Sequence, residues 1–234
     1  MRRPLALSKL AGLLIAGAVA LAVAPVAAQT APSAAEAAAY TGVHAVAQRG
    51  DVAALKKKLA AGADVNARDG HGRTPLHVAT FARQRELIRA LAAAGADLGA
   101  LENDRYDAVT IAAVADDEET LRVLLALGAS AKLTTSRYDG TALIAAAHLG
   151  HDGVVRQLIA AGAPLDHVNN LHWTAAIEAV VLGNGGPRHQ AVLKALLDAG
   201  ASRALADREG RTPLQLARAR GYDAMVKLLE RPGG

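Results

Sequence analysis

Short apolar runs with helical spacing recur along the chain from position 40 to the C-terminus, and each is bounded by similar polar and glycine residues. The clearest copy begins at Thr74, whose hydroxyl can accept a hydrogen bond from the free N–H groups of a helix's first turn. Pro75 follows at the first helical position, where its missing N–H costs nothing. Gly95 supplies the left-handed residue that ends a helix. This pattern predicts an N-cap, a short helix, a turn, a second helix and a stop.

These boundary residues repeat at a nearly constant interval. The residues at the cap position are separated by 33, 33, 34, 33 and 38 residues: Thr41, Thr74, Asp107, Thr141, Thr174 and Thr212. The glycines that end the second helices are separated by 33, 33, 34 and 38 residues: Gly62, Gly95, Gly128, Gly162 and Gly200. Because the two series agree, they predict a stack of helical units, as self-similarity near 33 residues is typical of repeat proteins.

The residues that follow the caps add a family resemblance. Thr-Pro-Leu occurs at 74–76 and 212–214, with His next at 77, and Gly-His occurs at 150–151. The chain therefore resembles the ankyrin-repeat family over about residues 40–230, and in particular its exported, periplasmic bacterial members. The resemblance implies an all-α fold, namely a solenoid of about six helix-turn-helix repeats joined by β-hairpin-like loops. It implies a fold more firmly than a function.

The pattern divides the chain into three parts. Residues 1–28 are predicted to be a cleaved signal peptide, residues 29–39 a short segment with helix-forming residues that caps the stack, and residues 40–234 the repeat domain. The repeats are expected at residues 40–67, 68–100, 101–132, 133–167, 168–204 and 205–234.

The first part has the regions of an export signal. Basic residues precede an uncharged apolar run from Leu10 to Ala24, and small residues suited to cleavage end at Ala28. The run is shorter than the roughly 20 residues that span a membrane. We therefore expect a periplasmic or secreted protein without a stable membrane anchor after cleavage. Retention of the segment as an anchor is the alternative.

Charge and cysteine content narrow the classes of partner and chemistry. The full chain has a net charge of +4, but removal of the signal leaves 23 Lys and Arg against 22 Asp and Glu. Nucleic acid is not an expected partner, because its binding normally needs a strong basic excess on one face. The chain has no Cys, which excludes disulfides and thiol chemistry. We expect a monomer stabilised by repeat stacking.

The resemblance implies that a partner protein binds the concave face, which is built from the hairpins and the first helices. Four of the six aromatic residues lie near the cap positions, and arginines occur beside them. Tyr, Trp and Arg are enriched in binding hot spots. The alternative is that the rings merely cover the joint between hairpin and helix. The predicted partner-binding residues are Arg73, Arg105, Tyr106, Arg137, Tyr138, His172, Trp173, Arg208 and Arg211.

Other residues at the same junctions are predicted to be structural. Thr74 and Thr212 are N-caps, and the resemblance implies that His77 hydrogen-bonds neighbouring loops. The hairpin glycine present in repeats two and six is replaced in the middle repeats by Arg105, Asp139 or His172. Because a left-handed backbone is uncommon for residues other than glycine, we expect these hairpins to be reshaped.

Repeat five contains five extra residues, within the stretch from Gly183 to His189. Just before it, Glu178 falls in a column that is otherwise apolar, and a buried carboxylate needs partners. We expect Glu178 to accept N–H bonds from the loop around Gly185 and Gly186, or to pair with Arg188 or His189. The loop lacks the ending of a phosphate-binding P-loop.

Catalytic and metal-binding patterns are weak. No nucleophile elbow is present, and no cluster has a known metal-ligand spacing. The sequence predicts a non-catalytic protein-protein interaction module without a cofactor, which stabilises or regulates a periplasmic enzyme. The alternative is a small-ligand or metal-binding protein that uses residues 183–189 and the nearby histidines.

Overall fold

The structure, a computed structural model, describes residues 31–231 of the chain. The predicted signal peptide lies outside the described residues. Thirteen helices and no extended strand occur within this described range; one isolated antiparallel bridge joins Thr135 to Gly140. The helices are α1 Ala34–Ala39, α2 Gly42–Arg49, α3 Val52–Ala60, α4 Pro75–Phe81, α5 Arg85–Ala93, α6 Ala108–Val114, α7 Glu118–Ala126, α8 Ala142–Leu149, α9 Asp152–Ala160, α10 Ala175–Val181, α11 Pro187–Asp198, α12 Pro213–Ala219 and α13 Asp223–Glu230.

From α2 onwards the helices form six pairs that stack side by side. The first helices contact one another in the order α2, α4, α6, α8, α10 and α12, and the second helices follow in the order α3, α5, α7, α9, α11 and α13. Each pair is thus held mainly by its neighbours, as in a linear repeat protein. The predicted all-α solenoid of six helix pairs is confirmed.

The helices begin and end for the local reasons that the sequence suggests. The Asp107 carboxylate accepts from the backbone N–H of Thr110 at 2.8 Å, and the Thr174 hydroxyl accepts from that of Ile177 at 3.3 Å. These bonds satisfy N–H groups that the first turn of a helix leaves unpaired. Gly95 has a φ of +87°, which gives the left-handed residue that follows a second helix.

The short helix α1 is attached to the stack through polar contacts rather than through an apolar face. Ser33 and Glu36 make reciprocal bonds of 3.2 and 2.9 Å at its start. Each loop between a second helix and the next first helix is called a hairpin and takes the number of the repeat that it opens, so that hairpin two lies between α3 and α4 and hairpin six between α11 and α12. Glu36 also reaches hairpin two, where it pairs with Arg73 at 2.7 Å and with His71 at 2.9 Å. The backbone hydrogen bond at Ser33, aided by Arg73, lowers the pKa of Glu36 to about 2.

The core consists of leucines between the helix pairs and a column of alanines along the first helices. The column is fully buried: Ala79, Ala112, Ala146, Ala179 and Ala217. Since α8 packs against both α6 and α10, side chains in this column are limited to about a methyl group.

Replacing Ala146 by Leu is expected to destabilise the fold by about 1–3 kcal/mol, because the added carbons have no space between the stacked helices. Chemical denaturation with the change followed by circular dichroism would measure this loss. Ala145→Leu is the matched control, since Ala145 lies on the same helix and is partly exposed. Equal stability of the two variants would contradict close packing at the alanine column.

Candidate functional site

The hairpins between repeats are held by a polar side chain that the sequence alone did not single out. In four repeats, the residue five positions before the N-cap is Asp, Glu or Asn. Its side-chain oxygen accepts a hydrogen bond from the backbone N–H of the residue just before the N-cap. The distances are 2.8, 3.0, 3.0 and 2.8 Å for Asp69 to Arg73, Glu102 to Tyr106, Asn169 to Trp173 and Asp207 to Arg211. The recurrence of Asp, Glu or Asn at this spacing could have identified the bond, because these residues commonly close turns in this way.

The residue that replaces the hairpin glycine keeps the left-handed backbone conformation of that glycine. Arg105, Asp139 and His172 have φ values of +67°, +52° and +63°, close to the +72° of Gly72. The expectation that all the middle hairpins are reshaped is therefore wrong. Only hairpin four differs, because its extra residue adds a second left-handed position at Ser136, with a φ of +64°.

Neighbouring hairpins are joined into one continuous surface. The backbone N–H of Asn170 donates to the carbonyl of Tyr138 at 2.9 Å, and that of Ser136 donates to Arg105 at 3.0 Å. Arg105 also pairs with Asp139 of the next hairpin at 3.0 Å. These bonds fix the relative positions of the side chains that the hairpins present.

The structure separates the predicted partner-binding residues into two groups. Arg73 and Tyr106 are buried, with exposed fractions of 2% and 7%, so their prediction as surface contacts is wrong. Arg73 lies beside Asp69 and Glu36, at 2.7 Å from each carboxylate, and Tyr106 contributes its backbone carbonyl to His77. The exposed or partly exposed members are Arg105, Arg137, Tyr138, His172, Trp173, Arg208 and Arg211.

Three large apolar side chains are exposed within residues 31–231, and none of them is among the partner-binding residues predicted from the sequence. They are Leu149 at 41%, Val168 at 41% and Leu171 at 37%. Two of the three belong to hairpin five. With the partly exposed Tyr138 and Trp173 they form what we call the hairpin-five surface: Tyr138, Val168, Leu171, His172 and Trp173.

The arginines around this surface differ in what neutralises them. Arg137 pairs with Asp104 at 2.6 Å, and Arg211 pairs with Asp207 at 2.7 Å. Arg208 donates instead to the backbone carbonyl of Asn170, and no ion pair to it occurs among the described residues. The Arg208 guanidinium therefore lies beside the tip of hairpin five without a neutralising carboxylate.

Glu178 is buried in the apolar column, but the partners expected for it are wrong. Its carboxylate accepts from the side-chain amide of Asn169 at 3.0 Å and lies 3.3 Å from Nδ1 of His148. Neither the glycine-rich loop nor Arg188 or His189 provides a bond to it. Glu178 instead connects α10 to the start of hairpin five, because Asn169 also holds that hairpin closed.

The extra residues of repeat five contact three neighbouring repeats. Arg188 pairs with Asp116 at 2.7 Å and Asp152 at 3.4 Å, while His189 Nε2 lies 2.9 Å from the His148 carbonyl. On the other side, the Tyr222 hydroxyl donates to the carbonyl of Gly183 at 3.1 Å. The insertion therefore braces repeats three to six.

The two glycines predicted to be structural in this loop have separate roles. Gly185 has a φ of +69°, and a Cβ added there would lie 2.6 Å from the Tyr222 ring. Gly186 donates its N–H to the Asn184 side chain at 2.9 Å. A side chain at position 185 would push the loop away from repeat six.

The histidines near the insertion make bonds within the protein. His151 Nδ1 lies 2.9 Å from the Ala113 carbonyl, and His189 contacts both Asn184 and the His148 carbonyl. Among residues 31–231, no group of three or more His, Asp or Glu side chains is arranged to hold a metal ion. A helix long and apolar enough to cross a membrane is also not found in that range.

The order of helices and hairpins agrees with a known family. A family model for ankyrin repeats in three copies matches residues 43–135, 109–202 and 143–233. The chain belongs to the ankyrin-repeat family. Ankyrin repeats are protein-protein interaction modules, so the hairpin surface of this ankyrin-repeat protein is its candidate functional site.

Individual ankyrin-repeat proteins are similar over most of the chain. The ankyrin repeat protein YahD of Escherichia coli (strain K12) is 36% identical over 184 residues, which cover 78% of this chain and 91% of YahD. A crystal structure of an ankyrin repeat domain from Acinetobacter baumannii AYE is 45% identical with a TM-score of 0.75, and the match covers 80% of this chain and 95% of that one. The ankyrin repeat domain of Bcl-3, a member of the IkappaB protein family, is 26% identical with a TM-score of 0.73, over 82% and 85% of the two chains.

Proposed function

We propose that this ankyrin-repeat protein is an exported, monomeric and non-catalytic module that holds a partner protein on the hairpins of repeats three to five. The observation that carries the proposal is the hairpin-five surface, where exposed Leu171 and Val168 accompany the partly exposed Tyr138 and Trp173. Neighbouring exposed apolar side chains mark a surface for protein-protein contact, and Tyr and Trp are of the types enriched in binding hot spots.

Backbone conformation supports the same surface. Arg105 and His172 are exposed in a left-handed conformation that costs a non-glycine residue roughly 1 kcal/mol, whereas Gly72 and Gly210 occupy this position without that cost. Retaining a side chain at a strained, exposed position is typical of residues that contact a ligand. These two side chains extend the proposed surface across hairpins three and five.

The double variant Leu171→Ser and Trp173→Ala is expected to weaken partner capture at least about tenfold. Pull-down from a periplasmic extract with the wild-type protein, followed by mass spectrometry, would identify the stoichiometric partner and then measure the loss. Leu149→Ser is the matched control, since Leu149 is equally exposed but lies at the end of α8. Unchanged capture by a folded double variant would refute the proposal.

The export part of the proposal has its own test. The mature protein is expected in the periplasmic fraction with Gln29 as its first residue, because small residues end at Ala28 before a polar segment. Cell fractionation and N-terminal sequencing would check both points. An intact N-terminus in the membrane fraction would instead support the retained anchor. We propose that the captured partner is a periplasmic enzyme that the module stabilises or regulates.

A further inference from the structure

The hairpin-five surface combines apolar exposure with an unneutralised charge. Leu171 is 37% exposed at the tip of the hairpin. The Arg208 guanidinium donates to the backbone carbonyl of Asn170, the residue just before Leu171. A cation is therefore fixed within one residue of an exposed leucine.

Among Arg68, Arg105, Arg137, Arg208 and Arg211, this combination occurs at Arg208 alone. Arg105, Arg137 and Arg211 have carboxylate partners at 3.0, 2.6 and 2.7 Å, so their charges are already balanced within the chain. Arg68 resembles Arg208, as it donates to the carbonyls of Gly72 and Leu101. Hairpin two, however, contains none of the three large exposed apolar side chains, which are Leu149, Val168 and Leu171.

We propose that the partner segment bound at the hairpin-five surface, which Arg208 borders through its bond to Asn170, carries an acidic side chain beside a large apolar one. This inference rests on the proposed function, since it specifies the chemistry that the same surface recognises. The partner's carboxylate pairs with Arg208, whose planar guanidinium can bind it through two parallel N–H donors. Its apolar neighbour packs on Leu171 and Trp173, which removes their apolar surface from water.

Held in place by its bond to Asn170, Arg208 is partly pre-ordered for this pairing. A guanidinium that already has one fixed bond loses less side-chain freedom when a carboxylate binds. Charge complementarity at such a position gives specificity more than affinity. We therefore expect Arg208 to select among apolar segments and Leu171 to provide most of the binding energy.

A phage-displayed library of random linear peptides, selected against the purified mature protein, would test this chemistry. The enriched peptides are expected to share an Asp or Glu next to Leu, Ile, Phe or Trp. Their binding should fall at least about tenfold in Leu171→Ser and in Arg208→Glu, and should weaken with added salt. Arg68→Glu is the matched charge control, because Arg68 also donates to backbone carbonyls, and it should change binding by less than about twofold.

The outcomes distinguish the inference from the function on which it rests. Peptides that depend on Leu171 but lack acidic residues, and that bind Arg208→Glu as well as wild type, would overturn the inference and leave the proposed surface intact. Selection that yields no peptide dependent on Leu171 would overturn both. Circular dichroism of each variant would show that the helices remain folded.

Discussion

Replacing His77 by Gln is expected to abolish most of the loss of stability that the wild-type protein shows as the pH falls from about 6.5 to 4. His77 is fully buried in α4. Its Nδ1 accepts from the backbone N–H of Thr74 at 3.0 Å, and Nε2 lies 3.1 Å from the Tyr106 carbonyl of the next repeat. The ring is therefore neutral in the folded state and joins two repeats.

Burial lowers the pKa of His77 from 6.5 to about 4. A histidine with a lowered folded-state pKa contributes fully above its unfolded value, and the contribution is lost as the pH falls toward the folded value. The shift corresponds to roughly 3 kcal/mol of unfolding free energy. Most of the loss is therefore expected between pH 6.5 and 4, before carboxylates with low pKa values become protonated.

Repeat six shows that Gln can replace this histidine at the helix start. Gln215 accepts from the backbone N–H of Thr212 at 2.8 Å, which is the bond that His77 makes to Thr74. A glutamine at position 77 is too short to reach Tyr106 as the ring does, so His77→Gln should cost about 1 kcal/mol at neutral pH. Its unfolding free energy should then change little down to pH 4.

Urea unfolding at a series of pH values would measure both curves. His71→Gln is the control, because His71 lies in the adjacent hairpin with an exposed side chain. Asp69 does not share the pH window. Burial alone would raise the pKa of Asp69, but hydrogen bonds from Arg73 and Tyr40 hold this pKa at about 2. Parallel wild-type and His77→Gln curves between pH 6.5 and 4 would show that His77 is not the source of the acid sensitivity.

The repeat architecture could be predicted because each of its signals is local. A cap residue, a following proline and a stop glycine act within one helix turn of where they lie, and their recurrence fixes the order of the elements. The alanine column follows the same rule, because an Ala lies five positions after the N-cap in each repeat from Thr74 to Thr212. A fixed period carries one packing environment from repeat to repeat.

The exposure of hairpin residues could not be predicted, because it depends on contacts between repeats. Arg73 and Arg211 occupy equivalent positions beside equivalent acids, yet Arg73 is buried and Arg211 is 54% exposed. Arg73 is covered because α1 brings Glu36 onto hairpin two. Sequence spacing identifies the type of residue at a junction but not which neighbouring element covers it.

Glu178 shows the same limit for a buried charge. The apolar column correctly indicated that the carboxylate would be buried, and proximity along the chain suggested Arg188 and His189 as partners. Its partners are instead Asn169, nine positions earlier in the sequence at the start of hairpin five, and His148 of the preceding repeat. The two positions meet because the hairpin folds back onto the first helix.

Replacing both Asn169 and Glu178 is expected to restore most of the stability that replacing Asn169 alone removes. In repeats two, three and six, an acid at the Asn169 position accompanies an apolar residue at the Glu178 position: Asp69 with Val78, Glu102 with Ile111 and Asp207 with Leu216. In repeat five, the Asn169 amide donates at 3.0 Å to the Glu178 carboxylate. In repeat five the helix position is therefore charged and the hairpin position is neutral, which is the reverse of these three repeats.

Asn169→Asp alone would put two carboxylates at this buried contact and should cost about 3 kcal/mol or more, because neither is neutralised by the other. Glu178→Leu alone leaves the Asn169 amide without its acceptor and should cost about 1–3 kcal/mol. The double variant recreates the pair found in repeat three, where Glu102 accepts from the Tyr106 N–H and Ile111 lies at the Glu178 position. It should recover most of the stability that Asn169→Asp loses, because the second carboxylate is then absent, but it should stay below wild type, because His148 loses its contact with Glu178.

Urea unfolding of the four proteins forms a double-mutant cycle that measures the coupling directly. The coupling should be large and favourable. Additive effects of the two changes would show that Asn169 and Glu178 do not depend on each other. Because Asn169 also closes hairpin five through the backbone of Trp173, the single variants should weaken partner capture as well, and the double variant should restore it.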